Sequence, residues 1–261
     1  MTTIRTQWEK AVPAWIDFVR TGKDHCRYEM NNPAMFKVLG NITGKTILDI
    51  GCGEGYNTRI LAQKKSIVTG IDFSGKMIGY ALQKEGETPL GIHYCSADSC
   101  ALPFKGNSFD IATCFMALQD IEFYEETVQE VYRILKNAGR FVLVIPHPCF
   151  ERRVLDDKVI GGWEYDETTG NRLYYKMDHY FDTGKYVITW NMDRLNYHFK
   201  TTGFHRTLTD YCNTLHNAKF LISKVLEPKP TEKGVKKYGM EDNLRIPQSI
   251  VMEAVKNTIP P

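Results

Sequence analysis

Residues 46–63 read TILDIGCGEGYNTRILAQ. The run 46–50 is short and apolar, as a buried strand requires, and 56–63 carry a helical pattern. Between them stand glycines 51, 53 and 55. Glycines so spaced permit left-handed backbone and leave no side chain between the chain and a ligand. The dinucleotide fingerprint needs its third glycine at 56, so that helix can lie on strand, but position 56 is Tyr. The Walker loop ends in Gly-Lys-Ser/Thr, whereas Gly55 is followed by Tyr56 and Asn57. The turn therefore suits a ligand that backbone approaches closely and that brings no phosphate to the helix start.

Outward from the turn the chain keeps alternating. Strands are expected at 67–71, 92–97, 110–115 and 140–146, with helices at 74–83, capped by Ser74, and 125–135. Gly139, in the NAG triplet, is placed to end the second helix as a left-handed residue. Such alternation predicts a parallel sheet with helices on both faces. From 151 to 205 the pattern changes to one rich in aromatic residues. The segments 184–190 and 195–202 alternate like antiparallel strands joined through NMDR, which reads as an inserted β-rich cap. A helix at 207–218, a strand at 219–228, a solvated charged loop over 228–243 and a last strand at about 249–255 follow.

Composition narrows the function. The 261 residues carry 33 Lys and Arg against 31 Asp and Glu, a net charge of +2, which offers no basic footprint for nucleic acid or an anionic membrane. No apolar run approaches the roughly 20 residues of a membrane helix. The charged residues of MTTIRTQWEKAVPAW stand where a signal peptide needs an apolar stretch, so a cytoplasmic location is expected. The seven cysteines include no CxxC pair, which argues against a disulfide framework and a zinc site, and no metal is expected.

The order acidic residue, x, Gly-x-Gly-x-Gly after the first strand, here Asp49-Ile50-Gly51-Cys52-Gly53-Glu54-Gly55, resembles the signature of class I S-adenosylmethionine-dependent methyltransferases. Further segments carry the likeness through 45–150: VTGIDFSGKMI ending its strand at Asp72, SADSCALPF around Asp98, NSFDIATCFMALQDIE, and EVYRILKNAGRFVLVIPHP. With RYEMNNPAMFKVLG (27–40) and 205–228, the chain is similar to the small-molecule branch near the ubiquinone/menaquinone C-methyltransferase type. That branch often has His where this chain has Gln119.

The resemblance implies a seven-stranded Rossmann-like α/β sheet whose last strand is antiparallel and slots between the fifth and sixth. It implies S-adenosylmethionine as methyl donor and S-adenosylhomocysteine as product. Gly51, Cys52 and Gly53 would pass the methionine moiety, and Asp49 would orient its ammonium group. Asp72 would accept the ribose hydroxyls, while Phe73 and Met77 flank the adenine. Asp98, with Ala97 and Ser99 beside it, would take the adenine amino group. Phe115, Met116 and Leu118 would line the methionine side, and Tyr28 would help close the site from the N-terminal helices. Asp49 in an apolar strand needs a partner, either a ligand ammonium or helix-start amides. Cys52 reads as a small filler of the turn, and Asp110 as a brace at the start of its strand.

Transfer from a sulfonium is an in-line displacement, so the protein supplies mainly alignment and a dry pocket. A base is needed where the acceptor is a hydroxyl, thiol, acidic carbon or protonated amine. Asp120 and His147, after the fourth and fifth strands, are the candidates. Trp163, Tyr175, His179, Tyr180, Trp190 and His198 could wall an acceptor pocket or pack the cap's own core. The expected organisation is a helical cover (1–44), the donor-binding core (45–150), the substrate cap (151–205) and a C-terminal completion of the sheet (206–261). The expected partner is a small-molecule acceptor, with no nucleic acid and no membrane. The competing readings are a regulatory protein that binds S-adenosylmethionine without turnover, and an NAD-dependent oxidoreductase.

Overall fold

A computed structural model of the chain describes residues 3–155, 158–192 and 197–257. At its centre is a seven-stranded sheet. Five parallel strands come from residues 46–146: β1 (Thr46–Ile50), β2 (Ile67–Asp72), β3 (His93–Ser96), β4 (Phe109–Phe115) and β5 (Leu135–Pro146). The C-terminal part adds β12 (Phe220–Leu226) and β13 (Ser249–Lys256), giving the order β12-β13-β5-β4-β1-β2-β3. β13 runs antiparallel to both β5 and β12, between which it lies, as expected from the sequence.

Helices cover both faces, because strands apolar on both sides have to be buried twice. α5 (Tyr124–Ile134) and α6 (Leu208–Asn217) bury Val128, Val131, Tyr211 and Leu215 against Phe141, Leu143 and Met252 on one face. α2 (Asn32–Leu39), α3 (Tyr56–Gln63) and α4 (Gly75–Glu87) bury Met35, Leu61, Ile78 and Ala81 against Ile47, Val68 and Val142 on the other. α6 starts in a full capping box: the Thr207 hydroxyl accepts from the Asp210 N–H, and the Asp210 carboxylate accepts from the Thr207 N–H. α1 (Ile4–Arg20) lies over the carboxyl ends of the strands, with Val12 and Ile16 packed on Met77 of α4.

Two local expectations are corrected. α5 ends at Ile134, and Leu135 already pairs with Phe109 in the sheet. The left-handed residue is Ala138, at φ 57°, not Gly139. Gly139 is needed for space instead, since a Cβ there would stand 2.7 Å from the Lys136 carbonyl oxygen. The charged stretch 228–243 is not a plain loop. It folds into α7 (Glu232–Tyr238), capped by Thr231 and ended by left-handed Gly239, because buried Glu29 draws Lys233 to 2.6 Å and also binds Thr231.

The insertion is built as three separate two-stranded sheets: β6 (Arg153–Leu155) with β7 (Lys158–Ile160), β8 (Gly162–Tyr165) with β9 (Arg172–Lys176), and β10 (Gly184–Met192) with β11 (Tyr197–His205). The β10–β11 hairpin is antiparallel as expected, but Asn191 and Met192 of the expected NMDR connection belong to β10, and residues 193–194 lie outside the described residues. Among the described residues no helix is long and apolar enough to cross a membrane.

Candidate functional site

A cavity of about 250 Å³ opens at the carboxyl ends of β1, β2 and β4, where open α/β sheets receive ligands. The glycine turn forms its floor. Gly51 and Gly55 sit at φ 65° and 83°, left-handed backbone that side chains resist. A Cβ at Gly51 would stand 2.5 Å from Ala117 Cβ, and one at Gly55 would overlap the Tyr94 hydroxyl. Gly55 is also the residue from which α3 starts, so the third glycine belongs at 55 rather than 56.

Asp72 ends β2 with only 8% of its surface exposed. Its Oδ2 accepts the Gly53 N–H at 3.0 Å and its Oδ1 the Ser74 N–H at 2.9 Å. One carboxylate thus ties the glycine turn to the start of α4. Asp49, on β1, accepts the hydroxyls of Thr58 at 2.7 Å and Thr113 at 2.8 Å. Its partners are hydroxyls, not the helix-start amides considered from the sequence. Burial pushes both carboxyls up to about 6, against the hydrogen bonds that favour their charged forms.

The wall opposite is made by the segment after β4. Met116 holds a left-handed backbone, φ 50°, and donates its N–H to the Val144 carbonyl at 2.8 Å. Asp98 closes a turn by accepting the Cys100 N–H at 2.9 Å, and Ser99 meets the Thr127 hydroxyl at 3.0 Å. Asp120 follows on the turn 118–120, its Oδ1 buried with no hydrogen-bond partner. Burial pushes its carboxyl well above the ordinary carboxylate range, against the pull of Arg206.

Of the residues singled out for the methyl donor, Asp49, Gly51, Cys52 and Gly53 line this cavity, as do Asp72, Phe73 and Met77. Ala97, Asp98, Ser99, Phe115 and Met116 line it too, and so does the candidate base Asp120. Burial and the neighbouring carboxylates Asp72 and Asp49 push the Cys52 thiol far up, which disfavours its thiolate. Asp110 lies elsewhere, holding Thr46 and Lys136 with its carboxyl depressed to about 2.

Three expected residues fall outside the cavity. Leu118 is core, 1% exposed. Tyr28 turns its hydroxyl to the Val19 carbonyl and its ring edge to Tyr56. His147 is 4% exposed; its Nδ1 accepts the Cys149 N–H, so its Nε2 donates to Glu227, at 3.1 Å. It is therefore spent on holding the end of β5 to the end of β12. The cap aromatics stand apart as well. Trp163 packs on Tyr175 and under Arg245, and Tyr175 donates to the Phe150 carbonyl. Tyr180 accepts the Leu208 N–H, His179 is paired with Asp182, and His198 lies exposed on β11. Trp190 is the one of the six that reaches the site's cover, its ring 5.4 Å from Trp15 and 6.5 Å from Trp8.

Sequence reasoning missed several lining residues. Trp8, Trp15 and Val19 come from α1, and Arg27 from the following turn. The Arg27 guanidinium lies 5.0 Å from the Phe115 ring centre and is held by Asp24 at 2.9 Å. Glu54 Oε1 and both side-chain polar atoms of Asn57 are buried, unpartnered, and in cavity-lining residues. The apolar spacing of 4–20 was the available signal for α1. Orphaned polar atoms leave no mark in a sequence.

Residues 48–143 match the family described as "Methyltransferase domain". A demethylmenaquinone methyltransferase of Lactococcus lactis is 35% identical over 117 residues, 43% of this chain and 46% of that protein. The chain thus matches only about half the length of that curated relative. Among solved structures, an S-adenosylmethionine-dependent methyltransferase from Mesorhizobium loti superposes with a TM-score of 0.70 at 28% identity, covering 85% of this chain and 96% of that one. A Listeria monocytogenes protein solved as a candidate for the same activity gives 0.71 at 28% identity, covering 87% and 96%.

Proposed function

We propose, from the premise that this chain is a class I S-adenosylmethionine-dependent methyltransferase, that it methylates a small molecule without phosphate and that Asp120 takes the acceptor's proton. The residues present fit the donor. A backbone cradle that a Cβ would fill, two buried carboxylates, and the orphaned atoms of Asn57 and Glu54 are what a cationic, hydroxyl-rich ligand satisfies. When bound, S-adenosylmethionine supplies a methyl group on positively charged sulfur, with a neutral thioether as leaving group.

Each residue's part follows from its chemistry. Asp72 would keep lone pairs for two ribose hydroxyls while its backbone contacts hold it in place. Asp49 would hold the ammonium group, and Arg27 and Asn57 the carboxylate. Phe73 and Met77 would offer apolar faces to the adenine, and Asp98 would accept from its amino group. Trp8, Trp15 and Phe115 exclude water from the reacting centre.

The observation that carries the acceptor reading is the charge of the wall. Asp49, Asp72, Asp98 and Glu122 line the cavity, with the buried acid Asp120 and with Glu54, which is paired with Arg20 and Arg59, against Arg27 as its one lining cation among the described residues. Such a surface repels phosphates and favours a neutral or cationic acceptor. Asp120 Oδ1, buried at the cavity wall without a partner, would take the acceptor's proton as the methyl group is transferred. Calorimetry with S-adenosylhomocysteine tests the donor half: binding with a single site is expected, and no heat refutes it. A panel of small amines, phenols and thiols, read by S-adenosylhomocysteine formation, tests the acceptor half. Turnover confined to phosphorylated acceptors would refute it.

A further inference from the structure

Behind the wall that bears Asp120 lies a buried polar cluster contributed by the insertion. Glu151, just after β5, accepts the Tyr186 hydroxyl on Oε1 and faces His205 Nδ1 across 2.7 Å with Oε2. His205 Nε2 is 2.8 Å from the Tyr180 carbonyl oxygen. The His205 side chain is fully buried and that of Glu151 is 9% exposed. Next in sequence, Arg206 donates to the carbonyls of Leu118, Ile121 and Glu122, and its guanidinium stacks 3.9 Å from the Tyr124 ring centre. Arg206 thereby fixes the backbone on either side of Asp120.

The donors in this cluster can be counted. A carbonyl oxygen only accepts, so His205 Nε2 carries a hydrogen. Two lone pairs facing each other across 2.7 Å repel, so a second hydrogen lies between His205 Nδ1 and Glu151 Oε2. Either the pair is imidazolium with carboxylate, or it is imidazole with carboxylic acid. In both forms its net charge is zero.

That neutrality bears on Asp120. The ionisable groups whose charge bears on it are Glu151 and Tyr186 from the insertion, Arg206 at the end of β11, and Cys114 on β4. A bare Glu151 carboxylate in this dry setting would hold the next proton on Asp120, as paired buried carboxylates do. We propose that Glu151 and His205 are positioning residues for the transfer: the one proton they share cancels a charge that would otherwise add to burial in holding a proton on Asp120, and so eases the release of that proton before the acceptor's is taken. The proposal rests on Asp120 as the proton acceptor, and it gives the inserted segment a part in the chemistry that no cap aromatic supplies.

The test reads Asp120 directly, by the infrared carbonyl band of its protonated carboxyl, titrated in the chain with and without S-adenosylhomocysteine. Asp120→Asn identifies the band by removing it. In His205→Asn, Glu151 loses its shared proton, and the midpoint is expected to rise by about one pH unit or more. In Glu151→Gln the pair stays neutral, and the midpoint is expected within about half a unit of the parent. The double variant E151Q/H205N should return to the Glu151→Gln value, because the offending charge is gone. Purely structural damage does not reverse in this way. Should His205→Asn fail to fold, His205→Gln carries the same expectation. A midpoint that falls in Glu151→Gln, fails to rise with His205 replaced, or stays raised in the double variant overturns the proposal. Calorimetry on the same samples is independent: failure there sinks the donor assignment, not the shared proton.

Discussion

Affinity for S-adenosylhomocysteine should depend on acid in a way the cavity dictates. Asp49 and Asp72 are both pushed by burial up to about 6, from an ordinary value of 3.8. In the empty protein each carboxyl binds its proton more tightly folded than unfolded. The pair therefore adds stability as pH falls through about 6, and costs stability above it. Ligand binding has the opposite sign, because ribose hydroxyls and an ammonium group donate to the charged carboxylates. At about pH 5 each isolated group is only about one-tenth ionised, so affinity drops about tenfold if one must ionise and about a hundredfold if both must, or roughly 1.4 to 2.8 kcal/mol. Protonating one eases ionisation of the other, since Asp49 pushes Asp72 up, so the result should lie between these limits. Calorimetric titrations from about pH 7.5 to about pH 5 measure it, with proton uptake read from buffers of different ionisation enthalpy. A dissociation constant that changes by less than about threefold over that range, in a protein still folded by circular dichroism, refutes the reasoning.

Other expectations follow from single contacts. Asp72→Asn removes the charge but keeps the size, and should weaken S-adenosylhomocysteine binding by about 1–3 kcal/mol in the same calorimeter; an unchanged constant removes Asp72 from the ribose. Gly51→Ala places a Cβ 2.5 Å from Ala117 at left-handed φ, so its melting temperature should fall, and Ala117→Gly in the same chain should recover the steric part but not the backbone part. Trp190→Ala strips the hairpin's contact with Trp8 and Trp15, worth about 0.5–1.5 kcal/mol per ring pair, and should speed proteolysis of α1 while leaving the sheet's far-ultraviolet signal unchanged. His147→Ala should leave donor affinity intact and lower thermal stability, since its ring joins two strand ends outside the cavity.

What was legible in the sequence is what obeys local rules. The strand–turn–helix of 46–63 could be read because three glycines at fixed spacing have few other uses. Ser74 and Thr207 were legible as caps because a hydroxyl before a helix has a defined job. The acidic residues at 49, 72 and 98 could be placed because their spacing resembles a family signature, and strand ends that converge on one edge of a parallel sheet bring them together. His147 stood at such an edge too, but its direction was decided by Glu227, eighty positions away in the chain. Gly139 looked like a helix stop because nothing local reveals that Leu135 pairs with Phe109. The cap was read as one unit from its aromatic content, yet its rings divide among separate hairpins, and Trp190 is the ring that packs on the tryptophans of α1. Arg27, Asn57 and the Glu151–His205 pair matter through long-range contact, which periodicity does not encode.

The placement of β13 has a consequence for biosynthesis. β12 pairs with the sheet through β13, and β13 is the last of the sheet's strands to leave the ribosome. Until residues 249–256 emerge, β5 is an open edge and the Phe220–Leu226 segment has no strand to pair with. A nascent chain stalled short of that point carries an unzipped strand pair whose natural company is a chaperone or a neighbouring copy.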